Sequence, residues 1–219
     1  MIPAVIELRQ YTLHPGRSDD LIALFEREFV DTQEAEGIRL IGLFRDLDDP
    51  DRFVWLRGFP DMESRRASLE RFYSGPVWAA HRDAANETMI DSDDVLLLKP
   101  VSDVAGLTLA GRSPAPAGAA VLLVGVHDRP REGDLSAVVE DSLSAVGLKP
   151  LAVLETEPAA NTFPRLPVRT DGPWLVWLAV AGSPAEAKAA AGELKSNLVL
   201  GPPQRLLRLV PTPRSRLRP

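Results

Sequence analysis

Residues 4 to 13 carry the chain's first periodic pattern. Ile6 and Leu8 interleave with Glu7, Arg9 and Tyr11, and this period of two predicts a strand. His14-Pro15-Gly16 is turn chemistry. The period then changes: Leu21, Leu24, Phe25 and Phe29 stand at i, i+3, i+4 and i+8, one face of a helix. Ser18 is its expected cap, Asp19 and Asp20 suit its positive end, and Gly37 is its expected stop. Strands are predicted at 40–44 and 52–59, joined by an acidic turn over 46–51. Asp61 caps a predicted helix over 62–73, Gly75-Pro76 opens another over 77–89, and 95–98 reads as a closing strand. The order β-α-β-β-α-β is the ferredoxin-like plan.

The plan then repeats. The strand 4–11 has a counterpart in 120–127, Phe53-Val54-Trp55-Leu56-Arg57 in Leu175-Val176-Trp177-Leu178-Ala179, and Val95-Leu96-Leu97-Leu98 in Leu206-Leu207-Arg208-Leu209. Asp134 caps a helix whose Leu135, Val138, Val139 and Leu143 keep the first helix's spacing. Strands follow at 151–155 and 174–181, an Ala-rich helix opens at Ser183-Pro184, and 206–210 closes the unit. Residues 101–119, rich in Gly, Ala, Pro and Ser, read as a linker. The expected division is therefore 1–100, a linker over 101–119, a degenerate second repeat over 120–211, and a tail over 212–219. The tail is short, basic and Pro-bounded, and is expected to fray.

A sheet covered by helices on one face must bury the other. Two such sheets facing each other make an α+β barrel of the kind usually built by two chains, here within one. Strand parity is taken to place Ile6, Leu8, Val54 and Leu56 under the helices. Glu7, Arg9, Tyr11, Trp55, Arg57 and Phe59 would then face the barrel interior. The copies differ in charge, since Glu7, Arg9 and Arg57 match Leu123, Gly125 and Ala179.

Composition narrows the classes. The formal net charge of −6 argues against nucleic-acid and anionic-membrane partners. Residues 1–100 hold 12 basic and 20 acidic side chains and the rest 13 and 11, so the halves differ in sign. The chain has no Cys, which excludes disulfides and thiolate chemistry and is compatible with a cytoplasmic location. Neither a membrane-spanning run nor a signal peptide is expected.

Several spaced positions carry a family resemblance. Glu7-x-Arg9-x-Tyr11-x-x-x-Pro15-Gly16, Gly37, Gly42, Phe53-Val54-Trp55-Leu56-Arg57-x-Phe59, Phe72-Tyr73, Gly75-Pro76-x-Trp78, His81-Arg82 and Asn86 together resemble the NIPSNAP family. The resemblance covers about 4–100, and the second half resembles a degenerate copy. It implies the dimeric α+β barrel superfamily. That fold hosts cofactor-free monooxygenases and haem enzymes, and members in animals are linked to vesicle or mitochondrial signalling, so the resemblance names no reaction.

Two cations and one anion on one sheet face suit a carboxylate, phenolate or enolate ligand, or else form a structural ion network. Loss of all three in the second copy favours a site. Tyr11, Trp55, Phe59 and Trp177 could stack on a flat ligand or pack as plain core. His81 is the expected proton-transfer group, on a segment unique to the first copy together with Tyr73, Trp78, Arg82 and Asn86. His81-Arg82-Asp83 is not a kinase loop, and the acidic turn lacks the Gly of an EF-hand. His14, His81 and His127 lack ligand spacing, so neither metal nor cofactor is expected. His127, matched to Tyr11, is the exception that a haem could use.

The leading expectation is a cofactor-independent small-molecule protein, an enzyme acting on an anionic, partly aromatic metabolite. Arg9 and Arg57 would hold the anion, Tyr11, Trp55, Phe59, Tyr73, Trp78, Arg82 and Asn86 would line the site, Glu7 would orient or act as base, and His81 would assist. The alternative is a non-catalytic NIPSNAP-type interaction protein that assembles through exposed sheet edges. Monomer and homo-oligomer are both compatible with the sequence.

Overall fold

Each half of the chain folds as the pattern predicts, and the two halves close on each other. The computed structural model describes residues 3–101, 119–197 and 199–218, so all of the expected linker but its two ends lies outside the described residues. The first repeat runs β1 (Val5–Leu13), α1 (Ser18–Leu24), a π-helical turn (Phe25–Phe29), α2 (Val30–Ala35), β2 (Arg39–Asp46), β3 (Arg52–Phe59), α3 (Met62–Ser74), α4 (Pro76–Asn86) and β4 (Met89–Pro100). The second runs β5 (Val121–Asp128), α5 (Leu135–Ser144), β6 (Pro150–Thr156), β7 (Trp174–Ala181), α6 (Pro184–Leu194) and β8 (Arg205–Pro211).

These strands form one closed antiparallel barrel in the order β1-β3-β2-β8-β5-β7-β6-β4. The repeats meet at two short seams, Phe44 to Asp46 against Pro211 to Leu209, and Leu98 to Pro100 against Thr156 to Leu154. Register confirms the internal match. Glu7 pairs with Arg57 where Leu123 pairs with Ala179, and Arg9 pairs with Trp55 where Gly125 pairs with Trp177. Every strand of the barrel has two neighbours, so the exposed edges on which the assembly alternative relied are consumed.

The barrel interior is apolar. Ile6, Leu8, Val54, Leu56, Leu96 and Leu98 pack there against Leu122, Val124, Val176, Leu178, Leu207 and Leu209. The expected parity is therefore inverted: Tyr11, Trp55 and Phe59 face the helices, with Phe25, Phe29, Leu69 and Phe72. Both sheet faces are buried, so alternation alone could not tell them apart. The charged set goes to the helix side because helices there offer polar partners, which an all-strand interior lined by aliphatic side chains does not.

Two local expectations also change. Ser18 is the first residue of α1 rather than its cap, and its Oγ accepts from Arg45 Nη1 at 3.3 Å. The basic tail does not fray. Thr212 N and Leu217 N donate to Leu43 O and Ile41 O, Leu217 packs into the barrel interior, and Arg214 bonds Asp31. Asp61, Asp134 and Ser183 cap α3, α5 and α6 through their side chains. No helix among the described residues is long and apolar enough to cross a membrane.

Candidate functional site

Alternation on β1 points Glu7, Arg9 and Tyr11 to the helix side, and pairing with β3 sets Arg57 opposite Glu7. The Glu7 carboxylate accepts from three guanidinium groups. Arg9 Nη1 and Arg57 Nε donate to Oε2, each at 2.8 Å, and Arg65 Nε donates to Oε1 at 2.6 Å. Arg65 comes from α3, whose i, i+3, i+4, i+7 row of Arg65, Ser68, Leu69 and Phe72 faces the sheet. All four charged side chains are buried. The remaining polar contacts come from further away: Arg57 Nη1 donates to Gln33 Oε1 at 3.2 Å, and Arg65 Nη1 to Asn161 Oδ1 at 3.0 Å.

Charge does not balance in this cluster, with one carboxylate against three guanidinium groups. Burial works against the Glu7 carboxylate, but Arg57, Arg9 and Arg65 overcome it and hold Glu7 far below the usual carboxylate range. Glu7 is thus a fixed anion that gathers three arginines, which fits the orienting role of the two expected for it, since a general base needs a pKa near the working pH. Burial opposes the charge on Arg9 too, yet Tyr11 and Glu7 leave it above the usual guanidinium range. Burial draws Arg65 downward against the pull of Glu7. Guanidinium groups stay charged in proteins, so the cluster keeps its excess positive charge. Arg57 Nη2, Arg65 Nη2 and Trp55 Nε1 are buried and make no hydrogen bond among the described residues.

An aromatic cavity adjoins the cluster. Tyr11, Phe25, Phe29, Gln33, Trp55, Phe72, Tyr73, Trp78 and Met89 enclose about 30 Å³. That volume suits about one water molecule. Tyr11 joins the two regions, because its ring lines the cavity and its hydroxyl accepts from Arg9 Nε at 3.0 Å. Burial is the largest influence on Tyr11 and raises its pKa, so it remains a phenol. The Arg9 and Arg57 guanidinium carbons lie 5.3 and 5.0 Å from the Trp55 ring centroid, within cation–π range. Helix α4 closes this side, with Trp78 5.6 Å from Phe29 between ring centroids and Ala85 its one fully buried residue.

Not every expected residue belongs here. Arg9, Tyr11, Trp55, Arg57, Tyr73 and Trp78 converge, while Phe59 touches only the far edge, 5.7 Å from the Arg57 guanidinium carbon. Arg82 and Asn86 are on the solvent side of α4. His81 lies outside the cavity, with Nε2 3.4 Å from Glu28 Oε2. Successive turns of one short helix cannot all face the sheet, which is why the run 81–86 divides in this way. Conversely, the sequence reading missed Arg65, Gln33, Asn161 and Phe163. The capped α3 pattern did signal Arg65, since an arginine in its buried row needs an acid.

Among the described residues the second repeat has no such cluster. Trp177 Nε1 donates to His127 Nε2 at 3.0 Å, and burial holds the imidazole below its usual pKa. His127 therefore packs as a hydrogen-bonded core residue with Nε2 already engaged. Among the described residues no group of three or more His, Cys, Asp or Glu side chains is placed to hold a metal.

Residues 6–104 match the model of the NIPSNAP family. Comparison with curated proteins returns no match. Over its whole length the chain shares its fold with a monooxygenase-like protein from Lactobacillus acidophilus NCFM. The two are 12% identical with a TM-score of 0.54, covering 98% of each chain. A monooxygenase-like protein from Fusobacterium nucleatum is 9% identical with a TM-score of 0.54, covering 99% of this chain and 98% of that one. A NIPSNAP-like domain protein from Burkholderia xenovorans is 28% identical with a TM-score of 0.42, covering 45% of this chain and 86% of its own. The two full-length likenesses concern the fold, which does not carry a reaction with it.

Proposed function

We propose that this chain, whose first repeat carries the NIPSNAP family match, binds a small organic anion bearing an aromatic ring. The ligand enters between the sheet and the helices of that repeat, and the chain acts on it as an enzyme without a bound cofactor. One observation carries the reading: a single buried carboxylate faces three buried guanidinium groups, two of which keep an Nη2 with no hydrogen bond among the described residues. Buried cations call for anionic partners, and guanidinium groups match a carboxylate's geometry. In this reading Arg57 and Arg65 hold the anion and Glu7 fixes the arginines. Tyr11 offers its hydroxyl proton to a ligand oxygen while Arg9 occupies a lone pair. The cavity as closed is too small for a ring, so entry requires α4, held by few buried residues, to move outward.

The non-catalytic interaction reading is favoured by one fact, the complete burial of Arg9 and Arg57. The two readings separate by calorimetry with benzoate as probe, on wild type and Arg57→Ala with both folds checked by circular dichroism. Binding by wild type that falls about ten- to a hundredfold in Arg57→Ala supports the site, as removal of a charged hydrogen-bond donor does. Equal affinity, or no binding by wild type, assigns the cluster to a structural network.

A further inference from the structure

We infer that the β6–β7 loop of the second repeat supplies two positioning residues, Asn161 and Phe163, that strengthen ligand binding in the first repeat's site. The inference rests on the ligand-binding reading above. Residues 157–173 join β6 to β7, whereas the matched β2–β3 connection spans only 47–51. A connection of that length without helix or strand is uncommon in a compact domain and is usually functional.

Near its end the loop packs on its own repeat, with Arg169 over the Trp174 ring at 4.3 Å. Before that it crosses to the first, where Phe163 is buried in that repeat's core cluster, with Leu166 and Val168 packed against the same cluster. Thr162 Oγ1 donates to Met62 O at 3.0 Å, tying the loop to the start of α3. Arg169 N donates to Val95 O at 2.9 Å and fixes the loop's return.

Within that frame each of the two residues acts through one first-repeat side chain. Asn161 Oδ1 accepts from Arg65 Nη1 and from Phe163 N, both at 3.0 Å, and Asn161 Nδ2 donates to Leu166 O at 2.8 Å. Arg65 is thereby held by Glu7 at Nε and by Asn161 and Thr162 at Nη1, which leaves Nη2 without a hydrogen bond among the described residues. A neutral amide at this position holds the guanidinium without cancelling its charge, which an aspartate would do. Phe163 stacks on Tyr73 at 5.8 Å between centroids and 29° between planes. Tyr73 in turn is a wall of the aromatic cavity, so Phe163 sets where that wall stands.

Calorimetry with benzoate on the full chain tests this, with thermal unfolding measured in parallel. Asn161→Asp keeps an acceptor for Arg65 but lowers the positive charge and gives up the Nδ2 bond to Leu166 O, so it is expected to bind about tenfold more weakly, a loss larger than its lowered unfolding midpoint accounts for. Phe163→Ala is expected to lose about tenfold in affinity, and Phe163→Tyr, which restores the stacked ring, to recover most of it. Wild-type affinity in both Asn161→Asp and Phe163→Ala, with Arg57→Ala still impaired, overturns the loop's role and leaves the site standing. Affinity that falls only in step with stability, with no recovery in Phe163→Tyr, reduces both residues to packing and overturns it as well. Wild type and Arg57→Ala alike in binding removes the site itself, and this inference with it.

Discussion

Trp177 lies across the backbone at Gly125, where an added Cβ would stand 2.2 Å from the indole ring. The matched pair in the first repeat is Trp55 and Arg9, with the guanidinium beside the ring. Loss of the side chain at position 125 thus lets tryptophan fill the space that arginine takes in the other copy. Trp177 then bonds His127, as Arg9 bonds Tyr11. Gly125→Ala is expected to destabilise the chain by about 1–3 kcal/mol through overpacking. Urea unfolding followed by tryptophan fluorescence measures it, and an unchanged midpoint would show that Trp177 can move aside.

Glu7 governs acid stability. Its carboxylate sits far below the ordinary value of 4.5, so its contribution is complete above that pH and is lost as pH falls towards the folded value. Glu7→Gln leaves three buried guanidinium groups without their shared anion and is expected to cost about 3–5 kcal/mol at neutral pH. The gap between wild type and variant should narrow as pH drops below 4.5. Denaturant titrations at several pH values test this, and a gap independent of pH would contradict it.

Leu217 holds the end of the described chain. It is buried among the barrel's interior side chains, and its N–H bonds Ile41 O. Leu217→Ala is expected to cost about 2–5 kcal/mol by leaving a cavity in the barrel core. A variant that unfolds at the wild-type denaturant concentration would place this residue outside the core.

Much of the fold was legible because each element carries its own signal. The repeated periods, the caps at Asp61, Asp134 and Ser183, and the matched strand segments specify two β-α-β-β-α-β units, and pairing them follows from the open sheet faces. The first-repeat charge excess was legible too, since Glu7, Arg9 and Arg57 stand on adjacent strands. Face assignment was not, because period two defines two faces without ordering them. Arg65, Gln33 and Asn161 join the cluster across 58, 24 and 96 residues of separation in their hydrogen bonds, and strand or helix periodicity has no term for such distances. The tail was misjudged because its basic residues find first-repeat acids that only folding brings near.

Covalent fusion of two unequal copies has a consequence in stoichiometry. A barrel closed by two identical chains would present two arginine clusters, one on each outer face. Here the seams at β2–β8 and β4–β6 join a charged copy to one whose matching positions are Leu123, Gly125 and Ala179, so among the described residues each barrel presents one. The surrendered copy is free to send its β6–β7 loop over the surviving cluster, a division of labour between halves that two identical subunits, bound by symmetry, cannot adopt.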